Sequence, residues 1–358
     1  MKKAKDIIFE DVEDIIDRIE NKLCHLEGRK ILITGAAGFI ASYLLDTVWM
    51  LNKKYFSKKC KVIAYTRREL DSRHRLFYLK NDKNFVFKIV DVSKPFKIEE
   101  CSDYIIHAAS NAAPKKYMAD PVNTIETNVR GTETILKYMI KNRTRSFVFF
   151  SSGEIYGDPD SAKSVPTKED YIGRTNHLAD RSCYVESKRF SETLCINYFR
   201  KYNLPVKIVR PVHIYGPGIN LNDGRVWADF IKNAYEGKNI TILSDGKATR
   251  GFCYISDAIV QIWSVLLSGK DGEVYNIGND SEEVTIKELA DIIAGIFNNK
   301  IKVVIENKIP DYLKSSPQRS CPDMTKTLMT FGLKNKVSLK TGLKRTIQWV
   351  KMFYQSLK

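Results

Sequence analysis

Short apolar runs alternate with longer helical patterns through most of the chain. The runs KILITG, KVIAYT, FVFKIVDV, DYIIHAA, SFVFFSS and VKIVRP each have the length and composition of a buried strand. Helical stretches such as ASYLLDTVWMLN and residues 122–141 and 183–202 lie between several of them. Strands that alternate with helices form parallel sheets covered on both faces. The pattern therefore predicts an α/β fold with a doubly wound parallel sheet.

The pattern changes on both sides of this region. Apolar residues at 8, 12, 15, 19, 23 and 26 share one helix face, which predicts an N-terminal amphipathic helix within residues 1–28. Such a helix packs either on the domain that follows or on a partner subunit, and the sequence leaves both open. After YGPG the elements shorten, so residues 215–358 are expected to form mostly a smaller substrate-binding α/β lobe. A segment near 251–270 is expected to return to the sheet domain.

A glycine-rich turn follows the first predicted strand. ILITGAAGFIA places Gly35 and Gly38, then Phe39 and Ile40, between that strand and the next helix. Glycine permits the tight turn, and a helix N-terminus favours the negative charge of a pyrophosphate. Because a strand precedes the motif and a helix follows it, the motif predicts a dinucleotide site. Residues 29–214 are therefore expected to form a Rossmann NAD(P)-binding domain.

The second predicted strand ends without the acid that usually binds an adenosine ribose. VIAYTRREL has Thr66, Arg67 and Arg68 at that place. Arginine there can accommodate the 2′-phosphate of NADP, whereas Arg67 could equally stack on the adenine of NAD. These residues alone lean toward NADP but leave the two cofactors nearly even. We name NAD as the expected cofactor and keep NADP as the alternative.

Composition narrows the choice of partners. The net charge of +16 comes from lysines and arginines scattered over the whole length, which is typical of a solvated surface and not of a nucleic-acid-binding face. The seven cysteines have no metal-ligand spacing, so we expect free thiols and no metal. No apolar run approaches the roughly 18 residues of a membrane span. We expect a cytoplasmic protein that binds neither nucleic acid nor membrane.

Two titratable residues share one face of a predicted helix. CYVESKRF places Tyr184 and Lys188 four positions apart. A phenol is a poor base near neutral pH, but a neighbouring ammonium favours the phenolate. Tyr184 could then take a proton from a sugar hydroxyl while hydride leaves the same carbon.

Seven segments in this order resemble the extended short-chain dehydrogenase/reductase family of nucleotide-sugar epimerases, dehydratases and decarboxylases. They are TGAAGFIA, IIHAAS, NVRGT, SSGEIYGDP, YVESK, RPVHIYGPG and RGFCYISD. The resemblance runs from about residue 29 to the end of the chain. It implies a bound NAD(P), a nucleoside-diphosphate sugar as substrate, a homodimer and a place in surface-polysaccharide synthesis.

The resemblance also implies roles for individual residues. Ser152 and Tyr184 hold the sugar O4, Tyr184 is the base, and Lys188 is its partner and binds the nicotinamide ribose. The implied cofactor-binding residues are Gly35, Gly38, Phe39, Ile40, Arg67, Asp91, Val92, Ala108, Ala109, Asn128 and Lys188. The implied substrate-binding residues are Ser110, His213, Arg225, Val226, Arg250 and Arg319.

The SGE segment narrows the set of possible reactions. Family 4,6-dehydratases carry an Asp-Glu pair at this place, whereas this chain has Gly153 and Glu154. Decarboxylases keep the glutamate and lack the aspartate, and simple 4-epimerases usually have neither acid. We therefore expect Glu154 to move a proton beside a transient C4 ketone, in an epimerase or decarboxylase reaction.

Two departures bear on the exact reaction. Decarboxylases usually have two consecutive arginines where this chain has Arg319 and Ser320, and His213 stands where the family usually has asparagine. The leading hypothesis is a redox-neutral enzyme with tightly held cofactor. The alternatives are an NADPH-dependent 4-ketosugar reductase, a 4,6-dehydratase despite Gly153, and a non-catalytic dinucleotide-binding protein.

Overall fold

The computed structural model describes residues 2–159, 163–298, 300–310 and 316–356. The helices are α1 (Lys2–Leu23), α2 (Phe39–Lys54), α3 (Pro114–Ala119), α4 (Pro121–Lys141), α5 (Ser182–Tyr202), α6 (Val226–Tyr235), α7 (Ile255–Ser268), α8 (Ile286–Ile296), α9 (Thr325–Phe331) and α10 (Leu339–Gln355). The strands are β1 (Lys30–Thr34), β2 (Lys61–Thr66), β3 (Phe85–Ile89), β4 (Tyr104–His107), β5 (Ser146–Phe150), β6 (Val206–Pro211), β7 (Ile214–Tyr215), β8 (Ile240–Ile242), β9 (Thr249–Gly251), β10 (Cys253–Tyr254), β11 (Val274–Ile277), β12 (Glu283–Thr285), β13 (Val303–Ile305) and β14 (Arg319–Ser320).

Seven strands form one sheet in the order β11-β6-β5-β4-β1-β2-β3, and every neighbouring pair is parallel. The chain builds β1, β2 and β3 toward one edge and then returns to place β4 on the other side of β1. Open sheets of this kind bind ligands where the strand order reverses, at the carboxyl ends of the strands. The prediction of a doubly wound α/β fold is confirmed.

Alternate residues along the central strands face two separate helical layers. Leu32, Ile105 and Phe147 pack in one cluster with apolar residues of α4 and α5. Ile31 and Ile106 face the opposite side, where they join a larger cluster with α1, α2 and α7. Both faces of these strands are buried, which explains why their sequences read as continuous apolar runs.

The N-terminal helix packs on its own chain. Helix α1 contacts α2, α7 and α10, and its apolar face, including Ile15, is wholly buried. Asp11 lies at the centre of this contact, where it accepts hydrogen bonds from Tyr43 Oη (3.0 Å), Tyr254 Oη (2.9 Å) and Arg345 Nη2 (2.9 Å). Burial raises the pKa of Asp11 to about 6. Of the two placements that the sequence left open, the structure has the intramolecular one.

The C-terminal part of the chain forms small sheets around the sheet's carboxyl edge. Strand β9 pairs with β12 and β14, β8 pairs with β13, and β7 pairs with β10. Helix α7 and strand β11 instead belong to the central sheet region, because β11 extends that sheet beside β6. Among the described helices, none is both long and apolar enough to cross a bilayer.

Candidate active site

A cleft of about 1330 Å³ opens at the carboxyl ends of β1, β4, β5 and β6. Loops from the C-terminal part, including residues 218–220 and 320–322, form its other wall. Tyr184, Lys188, Ser152 and Glu154 all line this cleft. The topology predicts a ligand site at this edge, and the four residues given catalytic roles by the resemblance meet there.

The glycine turn forms the inner end of the cleft. Gly35 has φ +66°, and a Cβ at this position would lie 2.7 Å from the Cα of Ala109. Helix α2 begins directly after Gly38, and no side chain caps its N-terminus. Its first backbone N–H groups are therefore available to a ligand, and Phe39 and Ile40 line the cleft beside them. These features fit a dinucleotide pyrophosphate.

The residues that the resemblance implies for cofactor binding beyond the glycine turn are divided by the structure. Arg67 and Ala108 line the cleft. Ser110, an implied substrate-binding residue, also lines it, and its buried Oγ has no hydrogen-bond partner among the described residues. Asp91 and Val92 lie outside the cleft lining. Asp91 accepts hydrogen bonds from the backbone N–H (3.1 Å) and Oγ (2.7 Å) of Ser93. Their predicted contact with the cofactor stays a prediction.

Asn128 lies behind the catalytic helix. Its Nδ2 donates to Ser187 Oγ at 2.8 Å, and its backbone carbonyl accepts from Ser191 Oγ at 2.9 Å. Its Oδ1 is buried without a hydrogen-bond partner among the described residues. Through its bond to Ser187, the residue before Lys188, Asn128 holds helix α5 against α4. Asn128 itself lies outside the cleft lining.

Helix α5 carries Tyr184 and Lys188 on its buried face. Lys188 Nζ donates to the carbonyl oxygen of Phe150 at 2.6 Å and lies 5.9 Å from the centre of the Tyr184 ring. Burial lowers the pKa of Lys188 to about 7, although the Glu192 carboxylate opposes this shift. Burial raises the pKa of Tyr184 to about 12, against the lowering effect of a hydrogen bond with Ser152. The protein alone therefore keeps the phenol protonated.

The turn after β5 positions Ser152 and Glu154. Ser152 Oγ accepts a hydrogen bond from the backbone N–H of Glu154 at 3.2 Å and so begins the 3₁₀ turn Gly153–Tyr156. A Cβ on Gly153 would lie 2.6 Å from Val212 Cγ2. An aspartate at this position would require Val212 to move. The structure thus gives a steric reason for the missing acid of the dehydratases.

The sequence analysis missed two residues that surround this group. Arg181 Nη2 donates to Glu154 Oε2 at 2.5 Å and Arg181 Nη1 donates to Ser316 Oγ at 2.8 Å. The Tyr117 ring stacks on the Tyr184 ring, with centroids 4.9 Å apart and planes at 9°. Arg181 precedes Tyr184 by three positions, so a basic residue at the start of the catalytic helix was a usable signal. No feature of the sequence indicated that Tyr117 would lie in the site.

Some of the predicted substrate-binding residues line the cleft and others lie outside its lining. His213 and Arg225 line the cleft, whereas Val226, Arg250 and Arg319 do not. Arg250 Nη1 and Nη2 donate to the carbonyl oxygens of Thr249 and Pro317, each at 2.7 Å. Arg319 Nε and Nη2 each donate to the Glu283 carboxylate, at 2.8 Å. A pyrophosphate-binding role for either arginine stays a prediction.

Comparison with known proteins gives a consistent set of relatives. The model of the NAD dependent epimerase/dehydratase family matches residues 31–278. UDP-glucuronic acid decarboxylase 5 of Arabidopsis thaliana is 36% identical over 323 residues, which cover 90% of this chain and 89% of that protein. UDP-glucuronic acid decarboxylase 1 of Danio rerio is 34% identical, over 91% of this chain and 74% of its own length.

Solved structures with the same fold carry related ligands. The UDP-glucose 4-epimerase from Thermotoga maritima, solved with UDP-glucose, has a TM-score of 0.76 and 25% identity, covering 92% of this chain and 100% of that chain. The UDP-glucuronic acid 4-epimerase from Bacillus cereus, in complex with UDP-glucuronic acid and NAD, has a TM-score of 0.77 and 25% identity. That match covers 91% of this chain and 100% of the epimerase chain.

Proposed function

Because the chain belongs to the NAD dependent epimerase/dehydratase family, we propose that it oxidises C4 of a nucleoside-diphosphate sugar, alters a neighbouring carbon and then reduces C4 again. The predictions of an enzyme of the extended short-chain dehydrogenase/reductase type and of NAD as its cofactor are confirmed by the family match. One observation carries the proposal: Ser152, Tyr184, Lys188 and Glu154 line the same cleft. Such a cycle needs a base that takes the proton of the 4-hydroxyl during oxidation. It also needs a group that moves a proton at the neighbouring carbon.

Tyr184 takes the proton of the 4-hydroxyl, and Ser152 holds the same oxygen. NAD, when bound, supplies the hydride acceptor and a positively charged nicotinamide ring. Tyr184 needs such a positive neighbour because burial otherwise raises its pKa to about 12. Lys188 lies under the Tyr184 ring and is fixed by its bond to Phe150, so that a protonated Lys188 contributes positive charge close to the phenol.

Glu154 acts in the second stage. A ketone at C4 makes the hydrogens on C3 and C5 acidic, and a carboxylate next to the sugar can remove one of them. Arg181 holds that carboxylate at the side of Tyr184, because the guanidinium lies 2.5 Å from Glu154 Oε2. Glu154 releases this proton to solvent, and protonation of the resulting enolate by a solvent-derived proton on the opposite face gives epimerisation at the neighbouring carbon.

Decarboxylation is the second candidate. Relatives covering about nine-tenths of the chain are UDP-glucuronic acid decarboxylases. A C4 ketone beside a C6 carboxylate forms a β-keto acid, which loses carbon dioxide without needing a second base. Gly153, which stands where the 4,6-dehydratases have an aspartate, supports this candidate and epimerisation over 6-dehydration.

The test is a screen of nucleotide sugars in deuterated water without added cofactor. We expect turnover with no net change in nicotinamide absorbance. Mass spectrometry then separates the candidates, since loss of carbon dioxide reports decarboxylation and a gained deuteron without other loss reports epimerisation. In a parallel screen with added NADH or NADPH, stoichiometric consumption of the reduced cofactor would instead identify a reductase.

The matched control is a second tyrosine on the same helix. Tyr184→Phe should abolish turnover, because the phenol oxygen is the proton acceptor. Tyr198→Phe, which lies on α5 outside the cleft lining, should leave it unchanged. Equal activity in both variants would contradict the role of Tyr184 and favour a non-catalytic protein.

The homodimer implied by the family resemblance and the cytoplasmic location expected from the composition stay proposals. Helices α4 and α5 pack side by side and expose several large apolar residues, of which Val122 (65%) and Phe190 (52%) are the most exposed. Such a surface supports pairing through these two helices. Light scattering on the purified protein measures the mass.

A further inference from the structure

Helix α1 connects the helix that follows the glycine turn with the last helix of the chain. Its Asp11 is 4% exposed and directs its two carboxylate oxygens toward different elements. Oδ2 accepts a hydrogen bond from Tyr43 Oη of α2 at 3.0 Å, and Oδ1 accepts one from Arg345 Nη2 of α10 at 2.9 Å. Tyr254 Oη donates to both oxygens, at 3.1 Å and 2.9 Å. We call the contact of Asp11 with Tyr43 and Arg345 the Asp11 bridge.

On the α2 side, the Asp11 bridge leads to the inner end of the cleft, where the glycine turn lies. The Tyr43 ring meets the ring of Phe39 edge to face, with centroids 6.3 Å apart, and Phe39 lines the cleft. The Arg75 guanidinium lies over the Tyr43 ring, 4.9 Å from its centre. Arg75 also lines the cleft and donates to Ser42 Oγ and Asp46 Oδ2, each at 2.6 Å. A shift of Tyr43 would therefore reach two residues of the cleft wall.

On the α10 side, the Asp11 bridge leads to the opposite wall of the same end. Trp349, about one helical turn after Arg345, lines the cleft, and so does Tyr354 near the end of α10. Tyr354 Oη accepts a hydrogen bond from the backbone N–H of Leu221 at 3.2 Å. Tyr354 thereby holds the loop whose residues 218–220 line the cleft.

The two walls meet where this loop approaches Arg75. A Cβ on Gly218 would lie 2.9 Å from Arg75 Nε, and this nitrogen is buried with no hydrogen-bond partner among the described residues. The contacts therefore form a closed ring, which runs from α2 through Asp11 to α10, through Tyr354 to the loop, and through Arg75 back to α2. Walls that are held in place before a ligand arrives lower the cost of ordering them on binding.

The charge of Asp11 suits a positional role better than a purely stabilising one. Burial raises the pKa of Asp11 to about 6, so the ionised carboxylate is held at a desolvation cost. Replacing a buried ion pair by well-packed apolar residues is often neutral or stabilising. A carboxylate among the donors of Tyr43, Tyr254 and Arg345 nonetheless fixes their relative positions, because each donor must be directed at one of its two oxygens.

We propose that Asp11 is a positioning residue for cofactor binding, which fixes the separation of α2 and α10 and so pre-forms the inner end of the cleft for NAD. Helices α1 and α10 both lie outside residues 31–278, the part that the family model matches. The role thus belongs to helices that flank the matched part. It goes beyond the proposed reaction, because it concerns the affinity for NAD and not the chemistry at the sugar.

Calorimetric titration of the cofactor-free protein with NAD tests this role. The titration is done at about pH 8, above the pKa of Asp11 of about 6, so that the carboxylate is ionised. Asp11→Ala removes both sides of the Asp11 bridge. We expect the dissociation constant for NAD to rise at least about fivefold, the lower end of the couplings measured between separate sites. An unchanged dissociation constant in folded Asp11→Ala would overturn the proposal.

Tyr43→Phe is a milder variant that decides the question if Asp11→Ala does not fold. It removes only the hydroxyl on the α2 side and keeps the ring beside Phe39 and Arg75, and it should weaken NAD binding in the same direction. The double variant should bind NAD little more weakly than Asp11→Ala, because both changes open the same bridge. Unchanged affinity in Tyr43→Phe, or fully additive losses in the double variant, would contradict the Asp11 bridge.

Arg18→Ala is the matched control on the same helix. Arg18 Nη1 donates to the buried Asp257 Oδ1 at 2.6 Å, and Arg18 Nη2 donates to the carbonyl oxygen of Lys334 at 2.7 Å. This variant therefore removes an ion pair that reaches α7 and the segment before α10, but not α2. It should lower the free energy of unfolding in urea and leave the affinity for NAD unchanged. Equal weakening of NAD binding by Arg18→Ala and Asp11→Ala would assign the effect to general loosening of α1 and overturn the role of Asp11.

Discussion

Replacing Lys188 with methionine should change how the stability of the cofactor-free protein depends on pH. The Lys188 side chain is almost wholly buried, at 2% exposure, and among the described residues its ammonium donates a hydrogen bond to the Phe150 carbonyl oxygen at 2.6 Å. Burial lowers its pKa from the ordinary 10.5 to about 7, although Glu192 opposes this shift. The folded protein therefore releases this proton at a lower pH than the unfolded chain does.

The sign and size of the effect follow from proton linkage. Between about pH 7 and pH 10.5 the unfolded chain binds more protons at Lys188, so the free energy of unfolding rises with pH. The stabilisation is complete above the unfolded pKa and is lost as pH falls through the folded one. Each pH unit in this window contributes about 1.4 kcal/mol, and two units contribute about 3 kcal/mol.

The effect is measured by urea unfolding of the cofactor-free wild type and of Lys188→Met at several pH values across that window. Other buried tyrosines and cysteines titrate in the same range, but their contributions cancel in the difference between the two proteins. The unfolding free energy of the wild type minus that of Lys188→Met should therefore rise with pH at the rate given above. Tyr198→Phe, on the same helix outside the cleft lining, should show a constant difference from wild type. A constant difference for Lys188→Met as well would refute the desolvation argument.

Two further substitutions test the Glu154 carboxylate and the glycine turn at Gly35. Glu154→Gln should slow hydrogen exchange into the sugar by about a hundredfold to ten-thousandfold, because an amide cannot accept the proton, while C4 oxidation continues. Mass spectrometry follows the exchange, with Glu186→Gln as the control, and wild-type exchange would assign the proton transfer to another group. Gly35→Ala should reduce the NAD retained through purification by at least about tenfold, since the Cβ would lie 2.7 Å from the Cα of Ala109 at φ +66°. Gly332→Ala, at φ +64° with nothing within 4 Å, is the matched control, and equal retention in both variants would contradict a close cofactor approach at Gly35.

The strands of the central sheet were predictable because most are continuous apolar runs. β5, for example, is SFVFF and every residue in it is buried, so its local composition alone indicates a core strand. The seventh strand, β11, was not predicted as a strand. Its sequence is VYNI, and Asn276 interrupts the apolar run. This strand forms because it pairs with β6, a contact with a segment some seventy residues earlier that local pattern does not reveal.

The parts of the candidate site that are formed by residues close together in the sequence could be predicted. Tyr184 and Lys188 lie on one helix face, so their proximity follows from helical geometry. The stacking of Tyr117 on Tyr184 joins two helices that are distant in sequence, and no periodicity reports it. Likewise, tertiary structure alone brings Glu283 to Arg319, which lies outside the cleft lining.

The residues at the end of β5 connect the two stages of the proposed reaction. The strand ends in hydroxyl-bearing residues because its carboxyl end opens into the cleft, where polar groups can contact a ligand. Ser152 Oγ, which would hold the sugar O4 together with Tyr184, also accepts the backbone N–H of Glu154. In the proposed reaction, the same serine would hold the sugar oxygen and anchor the backbone of the residue that carries the proton-transferring carboxylate, whose side chain Arg181 holds. Gly153 lets the turn between Ser152 and Glu154 pass close to Val212.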